Sequence, residues 1–117
     1  MRLLVEVLPD LVVDIEGALV RIGRGDVADQ LREVELERWT YDDFADTGYL
    51  YVRSPRKPDA VGARIAGVKS GETVSPLEDL NLDLDDHRRI TGIELLGARS
   101  IISRLERAAG TTPGEPL

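Results

Sequence analysis

The sequence predicts a single α+β domain in which helical segments at both ends of the chain pack on an antiparallel sheet. The sheet is expected because residues 34–52 and 80–96 each read as a strand, a polar turn and a returning strand. The helices are expected because apolar residues recur at helical spacing near both termini, at Leu11, Val12, Ile15, Leu19 and Ile22, and again at Ile101, Ile102, Leu105, Ala108 and Ala109. A chain of 117 residues is long enough for one core, and with one Trp, one Phe and three Tyr that core must be built from Leu, Val and Ile.

The elements follow in order. Residues 2–8 are mainly apolar around Glu6, and Pro9 pushes Leu8 toward extended backbone, so a short strand or extended lead-in is expected. Pro9 suits the first turn of a helix reaching Ile22, with Asp10, Asp14 and Glu16 at its surface. A hairpin of Leu11–Ile15 against Ala18–Ile22 is the rival, and the helix is preferred. Gly23 or Gly25 ends this element, and a short helix, Val27–Arg32, follows with Asp26 as its cap. Residues 33–41 read as a strand, Asp42–Gly48 as a turn whose Asx side chains bond nearby amides, and Tyr49–Val52 as the return.

Residues 53–71 change character, with two prolines, three glycines and five cations against Asp59 alone. A functional loop, a disordered segment and a short strand around Ala63–Val68 all remain open there. Glu72–Ser75 reads as a strand ended by Pro76. Leu80, Leu82 and Leu84 alternate with Asn81, Asp83 and Asp85, and after the turn Asp85–Arg88 the partner strand Arg89–Leu96 carries Gly92 as a bulge site. A helix from about Ala98 to Ala109, stopped by Gly110, should lie on the apolar face of the sheet. The domain then spans residues 1–110, and 111–117 form a flexible tail.

Tyr41-Asp42, Ala45-Asp46, Tyr49-Leu50, Glu72-Thr73, the run Asn81 to Asp85, and Gly92 to Leu96 followed by Ala98 together resemble domain of unknown function family 2283, over residues 34–105. The resemblance implies an antiparallel four-stranded meander with a following helix, and it transfers no catalytic residue. Some members of that family look like the antitoxin half of toxin–antitoxin pairs. Two departures stand out: the basic segment 53–71 is longer than the usual link, and Arg88 occupies a turn position where the family often has glycine, so positive φ there would strain an Arg.

Charge and composition narrow the function. Fifteen Lys and Arg against 22 Asp and Glu give a formal charge of −7, which repels phosphate backbones and anionic lipid, so nucleic-acid and membrane partners are disfavoured. The absence of cysteine removes disulfides, thiolate metal sites and Cys nucleophiles, and makes the cytoplasm the default location. Met1–Val7 lacks a signal-peptide pattern, and no apolar run approaches the roughly 20 residues that span a bilayer.

The most suggestive chemistry is the set Asp83, Asp85, Asp86, His87 and Glu94, which two facing strands could bring together as hard-metal ligands or an acid/base pair, with Asp83, Asp85, His87 and Glu94 as the candidate enzyme site. Against that, alternation places Asp83 and Asp85 opposite the leucines, on a solvated face, and the solvated face is preferred. Asp42, Asp43 and Asp46 are explained by the turn, and with His87 the only histidine, triads and His-pair zinc sites lack their parts. Arg53, Arg56, Lys57, Arg64 and Lys69 form the candidate binding set, for nucleic acid or an acidic partner, with Tyr49 and Tyr51 just upstream. Arg24-Gly25-Asp26 reads as a helix-linking turn, and Gly23 and Gly25 lack the companions of a phosphate loop. No cofactor is called for. The expectation is a non-enzymatic interaction module with a free strand edge, forming a homodimer or meeting a basic protein partner. A small metal-dependent enzyme is the alternative, and DNA binding through the 53–71 segment ranks third.

Overall fold

The structure, a computed structural model, describes residues 2–54, 71–109 and Gly114. In chain order the elements are β1 (Arg2–Leu3), α1 (Leu4–Val7), α2 (Pro9–Arg21), α3 (Gly25–Ala28), β2 (Glu35–Asp42), β3 (Thr47–Arg53), β4 (Glu72–Leu77), β5 (Leu80–Leu84), β6 (Ile90–Leu96) and α4 (Arg99–Ala109). No described helix is long and apolar enough to cross a membrane.

The α+β class and the antiparallel sheet are as expected, but the sheet has six strands where a four-stranded meander was predicted, in the order β1-β2-β3-β6-β5-β4. At one edge Arg2 and Leu3 pair with Leu36 and Glu35. At the other, Glu72, Thr73 and Val74 zip onto Leu84, Asp83 and Leu82. The connectivity is also not a plain meander. The hairpin β2-β3 and the meander β4-β5-β6 are joined by pairing β3 to β6, where Leu50 meets Ile93 and Gly48 meets Leu95. From β3 to the edge strand β4 the chain must cross three strand spacings, roughly 14 Å. At about 3.3–3.6 Å per extended residue, four or five residues suffice for that crossing, so the topology alone does not require a link as long as residues 54–71. The short strand weighed around Ala63–Val68 lies outside the described residues.

Helix prevails over hairpin in residues 9–21, with Pro9 in the first turn, Asp10 at the positive end of the helix dipole and Arg21 in the last turn. Leu11, Val12, Ile15 and Leu19 are buried as the spacing requires, whereas Ile22, expected inward, is 50% exposed because it falls at the C-cap, past the last buried residue of the helix. Gly23 takes the left-handed backbone (φ 79°) that ends the helix. The next helix is shorter than Val27–Arg32 and starts earlier, and Asp26 does not cap it: its carboxylate accepts from Arg24 Nε at 3.2 Å instead. Val27 and Leu31 are nevertheless both buried. Residues 2–8, read as strand or lead-in, give two strand residues and then α1, whose first N–H, from Leu4, donates to Val34 O at 3.0 Å. Pro76 does not end β4. On an edge strand its missing N–H forfeits no ladder bond, and the register slips between Val74 and Leu77 to accommodate it.

All the described helices lie against one face of the sheet. From that face Leu36, Trp39, Leu50, Leu82, Ile90 and Ile93 meet Leu4, Leu8, Val12, Ile15, Leu19 and Leu31 in one aliphatic cluster around the only tryptophan. A bulge between Leu36 and Arg38 lets both Leu36 and Trp39 face inward although they are three residues apart. Helix α4 adds Ile102 and Leu105, with Ala98 just before it, and sits so close to β3 that a Cβ on Gly48 would lie 3.1 Å from Ile102 Cδ1. Its start is fixed by the β2–β3 turn. Asp46, at φ 51°, accepts from Arg99 N–H on its carboxylate at 3.0 Å and from Gly97 N–H on its carbonyl at 2.8 Å, and Tyr41 Oη donates to the same carboxylate oxygen at 2.6 Å. Of the predicted tail only Gly114 is described, and its N–H donates to Trp39 O at 2.6 Å.

One polar side chain penetrates this apolar layer. Gln30, 3% exposed, donates through Nε2 to Arg88 O at 2.6 Å and accepts Ile90 N–H on Oε1 at 3.1 Å, so it clamps the β5–β6 turn as a strand would. Arg88 takes the positive φ (61°) that its turn position threatened. Replacing Gln30 by Ala strands a buried N–H and a carbonyl, each costing about 1–3 kcal/mol when left unpaired. Gln30→Ala is therefore expected to lower the unfolding free energy by about 2 kcal/mol, read from Trp39 fluorescence in a urea titration. An exposed control such as Gln30's neighbour Asp29→Ala should stay within about 0.5 kcal/mol of the parent.

Candidate interaction face

Strand alternation sends a second set of side chains to the opposite side of the sheet, which carries no described helix. The register lines them up in transverse rows. Arg38 on β2 is opposite Tyr51 on β3, Tyr51 is opposite Gly92 on β6, Gly92 is opposite Asp83 on β5, and Asp83 is opposite Thr73 on β4. The neighbouring row is Thr40, Tyr49, Glu94 and Asn81.

Nearly every polar group on this face is held by another. The Arg38 guanidinium lies 4.1 Å above the Tyr51 ring centroid, and the Tyr51 and Tyr49 rings are 4.7 Å apart at 57°. Tyr49 Oη donates to Asp83 Oδ2 at 2.5 Å and Thr73 Oγ1 to Asp83 Oδ1 at 3.2 Å. Asn81 Nδ2 donates to Glu94 Oε1 at 2.7 Å and takes Ser75 Oγ–H on its own Oδ1 at 2.6 Å. Gly92 makes the first of these networks possible. A Cβ there would lie 1.9 Å from Tyr49 Oη and 2.4 Å from its Cζ, so the ring reaches Asp83 by crossing the space a side chain would fill. Gly92 was expected as a bulge site; the slip in fact falls beside it, at Thr91, between the pairs Asp83 with Gly92 and Leu84 with Ile90.

The four residues weighed as a metal or acid/base cluster divide between two places. Asp83 and Glu94 flank Tyr49 on the open face. Asp85 and His87 belong to the β5–β6 turn, where Asp85 accepts His87 N–H at 2.8 Å, Arg89 N–H at 2.9 Å and Arg89 Nε at 2.7 Å. His87 Nε2 stands 3.8 Å from Asp86 Oδ1, and its buried Nδ1 has no hydrogen-bond partner among the described residues. Among the described residues no three His, Asp or Glu side chains are grouped to hold a metal ion. The turn explains the division: β5 ends at Leu84, and the Asp85 carboxylate is taken up by the His87 and Arg89 amides and the Arg89 guanidinium instead of continuing the open-face row.

Of the cationic set, Arg53 ends β3 beside Glu35 (3.5 Å) and Glu37 (3.8 Å), while Arg56, Lys57, Arg64 and Lys69 lie outside the described residues. Asp42 accepts Phe44 N–H at 3.0 Å and Ala45 N–H at 3.3 Å, the expected Asx turn. Arg24 of the Arg-Gly-Asp tripeptide grips Glu72 with two nitrogens, at 3.1 and 3.0 Å, tying the α2–α3 turn to β4. Sequence reasoning passed over Arg38 and Thr40. The usable signal was Gly92, since a glycine inside a strand also marks a close approach by another group.

Comparison with known proteins adds one relationship. A family model described as a protein of unknown function, DUF2283, matches residues 38–99, more than half of the chain. No curated protein and no solved structure matches the chain significantly.

Two outcomes follow from this geometry. Gly92→Ala should expel the Tyr49 ring and cost about 1–2 kcal/mol by loss of the Asp83 hydrogen bond and its packing. In a Tyr49→Ser background the same change should cost nearly nothing, and equal costs in both backgrounds would dismiss the link. The second outcome concerns pH. Burial, the hydrogen bond to Asp83 and the Asp83 charge raise the Tyr49 phenol above the usual tyrosine range. The fold therefore favours neutral Tyr49, and that stability is complete below the unfolded value of about 10 and is lost as pH rises through the folded one. Burial alone would raise Asp85, but the Arg89 amide, the Arg89 guanidinium and the His87 amide prevail and hold it below the usual carboxylate range. Its contribution is present above about pH 4 and is lost as pH falls through the depressed value. Urea midpoints should decline at both limits, with Tyr49→Phe flattening the alkaline limb and Asp85→Asn the acid one.

Proposed function

The chain belongs to the DUF2283 family, and from that premise we propose that it is a non-catalytic protein-interaction module whose contact surface is the open face of the sheet. One observation carries this reading: on that face the carboxylates, the amide and the phenol are bonded to one another, with Tyr49 held as a neutral donor to Asp83. A base or nucleophile must be able to reach substrate, and here each candidate is engaged by a neighbour in the sheet. Two tyrosines and a stacked arginine, by contrast, are the residue types that anchor protein interfaces.

The strand edges favour the face further. β1 has two residues, and β4 combines Pro76 with a register slip, both of which discourage edge pairing. An antitoxin-like role is the narrower form of the reading, in keeping with a formal charge of −7, which would speed encounter with a basic protein. The alternative of a metal-dependent enzyme using Asp83, Asp85, His87 and Glu94 has less in its favour, because two of these four serve a turn. DNA binding retains from its cationic set only Arg53 among the described residues, and that side chain stands beside two glutamates.

The test is affinity capture from the native cell with wild type beside Arg38→Ala and Tyr51→Ala. A protein retained by wild type should be lost from both variants while circular dichroism shows the fold intact. Retention unaffected by either substitution would refute the open face as the contact surface.

A further inference from the structure

Resting on that reading, we infer that the open face is complementary to itself and that one occupant it takes is a second copy of this chain. The row Arg38–Tyr51–Gly92–Asp83 runs straight across four adjacent strands, with a cation at the β2 end and a carboxylate at the β5 end. Arg38 is exposed and its guanidinium is held by the Tyr51 ring, with no carboxylate pairing it among the described residues. Among the described residues the Asp83 carboxylate takes hydrogen bonds only from the neutral hydroxyls of Tyr49 and Thr73, so its negative charge is unspent.

A two-fold axis lying in the plane of contact, parallel to the strands and between β3 and β6, exchanges the two ends of this row. It carries Arg38 of each copy over Asp83 of the other, twice in one interface, and Tyr51 over Gly92 and the Tyr49 ring that crosses it. In the next row it carries Thr40 over Asn81 and Tyr49 over Glu94. An isologous contact requires such self-complementarity, and one row of a flat sheet with opposite charges at equal distances from its middle supplies it. Two sheets packed this way adopt the aligned face-to-face geometry open to twisted sheets.

Size and net charge set the strength. Five strands of about seven residues give a footprint of roughly 500 Å² per copy, at the lower end of specific interfaces, so a weak, reversible dimer is expected. Two copies of charge −7 repel at long range, but at physiological salt the Debye length is about 8 Å, and pairs enclosed between the sheets are screened far less than the bulk charge.

Sedimentation velocity and light scattering at physiological ionic strength, up to about 500 µM protein, provide the test. Wild type should be a reversible dimer. Arg38→Asp places Asp against Asp, Asp83→Arg places Arg against Arg, and each alone should raise the dimer Kd at least about tenfold. Mixed one to one, the two variants restore both cross-pairs and should recover the dimer as a heterodimer. Arg38 is exposed, so Arg38→Asp keeps its fold and decides the matter alone if Asp83→Arg does not fold. A wild type that stays monomeric to the highest concentration, an Arg38→Asp variant that dimerises as tightly as wild type, or a mixture of folded variants that stays monomeric would each overturn the inference. A monomeric wild type that still captures another protein through Arg38 and Tyr51 would remove the second copy and leave the interaction module standing.

Discussion

The pairing of β3 with β6 is the contact on which the rest of this structure depends. Thirty-six residues separate Arg53 from Ile90, so the ladder between the two strands closes a long loop before it returns any hydrogen bonds or buried surface. What it gains is continuity. A hairpin and a three-stranded meander, each with one aliphatic face, become a single layer in which Leu50 abuts Ile93 and Ile93 abuts Leu82. On the reverse side the same alignment sets Tyr51 beside Gly92 and Tyr49 beside Glu94. Core and open face are therefore two products of one register, and a slip of one residue would exchange them.

The two faces use different physics. The inner one is nondirectional, with aliphatic area removed from water by helices at either end of the chain, and a single glutamine threading through to hold a turn. The outer one is a lattice of directed bonds, Tyr49 to Asp83 to Thr73 and Ser75 to Asn81 to Glu94, each worth little alone and together fixing the side chains before any partner arrives. A surface ordered in advance loses less rotamer entropy on association, which suits recognition better than turnover.

Much of the fold was legible because period and punctuation agree. Leu80, Leu82 and Leu84 alternate with polar residues, Asp42 sits where an Asx turn belongs, and Leu11, Ile15 and Leu19 keep helical spacing beside Pro9. The local pattern marks Glu72–Ser75 as a strand and residues 2–8 as a strand or lead-in, but pairing between distant strands leaves no local trace, so the four-stranded meander that the resemblance implies misses both edge strands and the join of β3 to β6. Arg2 and Leu3 are too few to show alternation, and Pro76 reads as a strand breaker until the strand is known to lie at an edge. On the candidate site, Asp83 and Glu94 were singled out and do lie together on the open face. Arg38 was overlooked because a cation over an aromatic ring depends on cross-strand register. Gln30 resembles any polar helix-end residue until its carboxamide is seen between Arg88 and Ile90.

The family match begins at residue 38 and stops at residue 99, but the aliphatic layer respects neither limit. Leu4, Val12, Ile15, Leu19 and Leu31 before it, and Ile102 and Leu105 after it, roof over Trp39, Leu50 and Ile93. Cut at those borders, the sheet would present bare leucine and tryptophan to water. The stretch that the family model matches is thus shorter than the stretch that builds the core, and residues 38–99 alone would leave that core without its roof.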